Sequence, residues 1–103
     1  MSYSVRLTRE ALEEVERLEE FLVAVASKHG DYDLPVRAVE AIRRELQIIE
    51  TNPYTCRKAG SNSLERELII PFGGSGYVAL FEIISEHEIA VSAIRHQRED
   101  DYH

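Results

Sequence analysis

Tryptophan is missing and cysteine occurs once, at position 56, in a chain of 103 residues. Without a second thiol there can be no internal disulfide and no cysteine-based metal site, which fits a reducing compartment. With no tryptophan and only three phenylalanines, the core is expected to be largely aliphatic. Long apolar runs are also missing. The longest charge-free stretch, Leu68 to Phe81, contains Pro71 and three glycines and is too short to cross a bilayer. Arg6, Arg9 and Glu10 interrupt the opening residues too early for a secretory leader, so a soluble, cytoplasmic protein with no membrane partner is expected. Basic charge is the scarcer sign: 12 Lys and Arg stand against 19 Asp and Glu, a net charge of −7. Such a chain is a poor general ligand for phosphate backbones, whose affinity comes from cations that neutralise them. No direct sequence-specific nucleic-acid binding is expected.

The length is that of one domain, spanning residues 1–103, and is sufficient to bury a core without staples. Hydrophobic residues at 44% and charged ones at 30% describe a folded chain rather than a disordered one. Charge is unevenly spread. Residues 1–34 carry eight acids and four bases, residues 35–70 five and six, and residues 71–103 six and two. Only the middle third can supply most of a cationic patch.

Periodicity divides the chain into segments. Tyr3, Val5 and Leu7 alternate with Ser4 and Arg6, as in a strand with one apolar face. Thr8 offers a hydroxyl to cap the helix that follows. From Arg9 to Lys28, Leu12, Val15, Leu18, Leu22 and Val25 recur at helical spacing, with Ala11 and Phe21 widening the stripe. Gly30 suits the left-handed residue that ends helices. Asp33 then serves as a candidate cap and Pro35 as a first-turn proline. Val39, Ile42, Leu46 and Ile49 form a second helical stripe, stopped at Asn52-Pro53. The short link predicts an antiparallel helix hairpin.

Beyond Pro53 periodicity disappears until Ser63, and this stretch reads as a loop. The period then changes to two. Leu64 to Phe72, Tyr77 to Ile84 and Ile89 to Ile94 read as strands, joined by a glycine turn at residues 73–76 and a polar turn at residues 85–88. Each helix must bury its apolar stripe. The predicted architecture is therefore α+β: an N-terminal strand, then a helix hairpin packed on a three- to four-stranded antiparallel sheet, in the order β-α-α-β-β-β.

This order, together with two stretches of sequence, resembles the RelE/ParE toxin superfamily and its ParE-like branch. One stretch is Arg66-Glu67-Leu68-Ile69-Ile70-Pro71-Phe72 with the following Gly76-Tyr77-Val78-Ala79-Leu80-Phe81-Glu82-Ile83. The other is Ile89-Ala90-Val91-Ser92-Ala93-Ile94-Arg95-His96-Gln97-Arg98-Glu99, ending near Tyr102. Asn52-Pro53 and the opening Tyr3 to Leu12 fit as well. The resemblance implies the toxin of a type II toxin–antitoxin pair, neutralised by a cognate antitoxin, ParD-like or similar, whose flexible end folds onto it. ParE-like members poison DNA gyrase, whereas RelE-like members cut messenger RNA on the ribosome.

Metal-independent RNA cleavage requires a base, an acid and phosphate-binding cations. If the chain were a nuclease, Arg66, Arg95, His96 and Tyr102 are the residues that would carry it. Against this stand the acidic chain, a loop with only Arg57 and Lys58, and three consecutive acids at positions 99–101 that repel RNA. Arg66, between Glu65 and Glu67, is equally explained by a cross-strand ion pair, and His96 by ordinary packing. The ParE-like reading makes the protein an inhibitor that acts by binding, with no catalytic residues. Arg57, Lys58, Arg95, His96, Arg98 and Tyr102 are its expected target-binding surface. No cofactor is expected, and four histidines at positions 29, 87, 96 and 103 lack metal-ligand spacing.

Overall fold

The computed structural model describes residues 2–97, so Arg98 and Tyr102 lie outside the described residues. A short strand, β1 (Ser4–Leu7), leads through Thr8 into α1 (Arg9–His29). Thr8 is the joint between layers. Its side chain accepts the Ala11 N–H at 3.2 Å, while its own N–H donates to the Val91 carbonyl at 2.9 Å. The helix start is thereby capped and tied to the sheet. Gly30, with φ of 75°, closes α1 in the left-handed conformation that suits glycine.

The apolar stripe of α1 is narrower than its sequence pattern. Ala11, Leu22 and Ala26 are buried and Val15 and Leu18 half-buried, whereas Leu12 and Phe21 remain 51% and 63% exposed. Thr8 fixes the rotation of the helix, so the Ala11 side meets the sheet. Leu12 and Phe21 each stand one position, about 100°, from that line. Helix α2 (Leu34–Ile49) carries Pro35 in its first turn and buries Ala38, Ala41, Ile42 and Ile49. Asp33 precedes it but makes no side-chain cap; Asp31 instead accepts a hydrogen bond from Arg37 at 2.8 Å.

The sheet has five strands in the order β1-β5-β4-β3-β2, two more than a minimal three-stranded reading and one more than four. Four are the predicted ones: β1, and β3 (Glu65–Phe72), β4 (Ser75–Ile83) and β5 (Glu88–His96), the last three antiparallel neighbours. The extra strand is β2 (Arg57–Lys58), two residues paired antiparallel with Arg66 and Glu67 inside the expected loop. Two residues are too few for any period to register. β1 lies parallel to β5 rather than antiparallel, because the helix hairpin carries the chain back across the sheet before the last strand runs beside the first.

Two backbone features shape the hairpin from β3 to β4. Its two-residue turn is Gly73-Gly74, and only Gly73 has positive φ, as in a type II′ turn. Gly76 has φ of 144°, and a Cβ there would run into the Ile70 carbonyl oxygen. Between β4 and β5 the register slips at Leu80/Phe81, leaving Ser92 as an extra residue within β5, a β-bulge.

The helices cover one face of the sheet. Ile49, Ile70, Phe81, Ile89 and Val91 are almost wholly buried in the resulting core, with Leu68, Tyr77, Ala79 and Ile94 beside them. Trimming Phe81 to Ala would remove core packing worth roughly 3–5 kcal/mol.

Candidate partner-binding groove

The cationic residues picked out by sequence fall in two places. Arg57 and Lys58 form β2 at one edge of the sheet, and Arg95 and His96 end β5. With β3 and β4 between them, the two groups stand about 14 Å apart and do not make one patch. Arg57 is engaged by Glu67 at 2.9 Å.

Arg66 is held by backbone. Its Nε donates to the Ser63 carbonyl at 2.7 Å, and one terminal nitrogen donates to the carbonyls of Cys56 at 2.8 Å and Tyr54 at 3.1 Å. Its guanidinium also lies 5.3 Å from the centroid of the Tyr54 ring. The cross-strand ion pair considered for Arg66 is not formed among the described residues, since Lys58 and Phe81 stand opposite it; the side chain instead fastens the irregular segment 54–63 to β3. Beside it, the Cys56 thiol is pushed above its ordinary value by burial, against the lowering influence of Arg66, with Glu45 adding to the rise. It therefore stays a protonated, weakly nucleophilic thiol near neutrality.

At the other end of the sheet an open groove of about 620 Å³ lies between α1 and the ends of β4 and β5. Leu18, Phe21, Tyr77 and Ile94 supply apolar surface, and Glu14, Arg17, Arg95 and His96 supply charge or polarity. The Tyr77 ring stacks on Phe72 with centroids 5.9 Å apart and meets His96 edge-on at 5.7 Å. Burial raises the Tyr77 phenol above its ordinary value. Glu14 reaches from α1 to the sheet. One oxygen accepts the Ile94 N–H at 3.0 Å, and the other lies 3.6 Å from Arg95 Nε. Arg17 makes no ion pair among the described residues.

Sequence reasoning singled out Arg95 and His96 here but missed Glu14, Arg17, Phe21 and Tyr77. Glu14 meets Ile94 across 80 positions of sequence, which leaves no local signal. Phe21 does leave one: an aromatic at the border of a helical stripe. Among the described residues, no three His, Cys, Asp or Glu side chains gather where a metal could be held. No helix is long and apolar enough to cross a membrane.

The model of the ParE toxin family of the type II parDE toxin–antitoxin system matches residues 5–101. This chain belongs to the ParE toxin family. No curated protein sequence matches it. Among solved structures, a chain of a chromosomal ParDE toxin–antitoxin system from P. aeruginosa superposes with a TM-score of 0.72 at 16% identity, covering 92% of this chain and 96% of that one. At that identity the likeness speaks for the fold. It agrees with the α+β order predicted from the sequence and extends the ParE match to the arrangement of helices on the sheet.

Proposed function

We propose that this ParE-family chain is the toxin of a cytoplasmic toxin–antitoxin pair and acts by gripping other proteins rather than by breaking bonds. Its antitoxin, ParD-like or similar, docks in the groove between α1 and the end of β5, and its target is DNA gyrase. The observation that carries the reading is the groove itself: open, floored by apolar side chains and bordered by a sheet edge. Peptide segments bind such surfaces by laying an amphipathic element in the groove or adding a strand to the edge. Phe21, 63% exposed at its wall, is the kind of aromatic anchor that dominates binding energy.

Arg66 also supports an adhesive rather than a nucleolytic role. Three of its hydrogen bonds go to backbone carbonyls, so its charge is spent on the fold. Arg95, His96 and the β2 cations Arg57 and Lys58 remain the proposed gyrase contacts, with Arg98 and Tyr102 beyond the described residues.

Two assays on the purified chain decide the matter. Supercoiling by gyrase is expected to stop at stoichiometric toxin while ribosome-bound messenger RNA stays intact. Co-expression with the product of the adjacent reading frame is expected to yield a stable complex that restores supercoiling. Cleaved RNA with unaffected gyrase would replace this reading with the RelE-like one.

A further inference from the structure

Past Val91 no strand lies along the outer edge of β5 among the described residues, because β1 ends at Leu7. An edge of this kind exposes backbone donors and acceptors to any strand that arrives. Here the Ile94 N–H is taken by the Glu14 carboxylate at 3.0 Å, a side chain standing where a neighbouring strand would offer a carbonyl. The same carboxylate is the counter-charge of Arg95. Displacing Glu14 would therefore free two things together, a backbone donor and a guanidinium.

We infer that Glu14 is a removable stopper on the β5 edge, and that the segment replacing it is an extended partner strand alternating apolar and acidic residues. This deepens the partner-binding reading and rests on it. The alternation follows from register. Ile94 pairs with Ala79 and His96 with Tyr77, on the face covered by the helices, while Arg95 pairs with Val78 on the opposite face. In a strand added to β5, side chains level with Ile94 and His96 enter the groove beside Leu18 and Phe21 and must be apolar. The side chain between them emerges next to Arg95, which has lost Glu14, and a carboxylate there restores the charge balance. The incoming backbone carbonyl takes the Ile94 N–H, so that donor is satisfied before and after.

An acetylated, amidated hexapeptide of alternating Val and Glu is the probe, with its Val–Lys counterpart as the charge control. Titrated into the ¹⁵N-labelled full chain, the Glu peptide is expected to shift the amides of residues 94–96 and 18–21. The Lys peptide should bind about tenfold more weakly or less. Glu14→Ala should tighten the Glu peptide by about tenfold, and Glu14→Gln, which keeps an acceptor but not the charge, should fall between. Arg95→Ala should erase the preference for Glu over Lys. If Glu14→Ala fails to fold, the Gln variant decides by the same direction of change. The inference is overturned by shifts elsewhere or none up to millimolar peptide, by equal binding of the two peptides, or by weaker or unchanged binding to the Glu14 variants. Such a failure beside an intact antitoxin complex would remove strand addition alone. Loss of the complex beside positive peptide shifts would remove the toxin–antitoxin reading alone.

Discussion

Arg66 and Arg95 lie on neighbouring antiparallel ladders, yet their surroundings differ sharply. Arg66 gives hydrogen bonds to three backbone carbonyls and lies against the Tyr54 ring. Among the described residues Arg95 has one ion pair, at 3.6 Å, and its side chain is about half exposed. A cation that organises backbone is spent on folding, whereas one held by a single carboxylate can change partners. The β2–β3 end of the sheet is therefore a fastened region and the β5 end an exchangeable one.

Four expected outcomes bear on that contrast. The largest concerns the β3–β4 hairpin between the two regions. Gly76→Ala places a Cβ against the Ile70 carbonyl at φ of 144° and should cost about 3 kcal/mol in denaturant unfolding. Next, Phe21→Ala should weaken the antitoxin complex by about 2 kcal/mol in calorimetry and leave unfolding within about 0.5 kcal/mol, since the ring is mostly exposed.

Arg66→Ala should destabilise the fold by about 1–3 kcal/mol, leaving three carbonyls without their charged donor, and should speed proteolysis within residues 54–63. Arg95→Ala in the same experiment should change stability by about 0.5 kcal/mol or less. Equal effects of the two arginine substitutions would dissolve the distinction.

The smallest effect is in alkaline pH, with one reporter in each region. Cys56 beside Arg66 and Tyr77 in the groove both have raised pKa values, chiefly through burial. Each group is protonated in both states below its unfolded value. These two groups should thus leave stability unchanged to about pH 8 and lower it progressively above that, as the unfolded thiol and then the unfolded phenol ionise around their ordinary 9.0 and 10.0. Urea midpoints between pH 7 and 11 check this, and Cys56→Ser should remove the earlier part of the decline.

Local rules made much of the fold legible. Thr8, Gly30 and Pro35 mark helix ends by their backbone chemistry, and the change of period after Ser63 marks the sheet. What escaped depends on distant contacts. β2 exists only because Arg66 and Glu67 pair with it, and the parallel placement of β1 depends on where the hairpin delivers the chain. Leu12 and Phe21 belonged to the apolar stripe by spacing and lost their place once Thr8 fixed the rotation of α1. For the candidate site, Arg95 and His96 could be found from the last strand, but Glu14 became visible only when α1 met β5.

Amide hydrogen exchange of the full chain, alone and with the adjacent reading frame's product, tests the groove most directly. New protection is expected at Ile94 to His96 and along Leu18 to Phe21, with little change around Arg57 to Glu67. Protection confined to the β2–β3 end, with the α1–β5 groove exchanging as in the free chain, would contradict it.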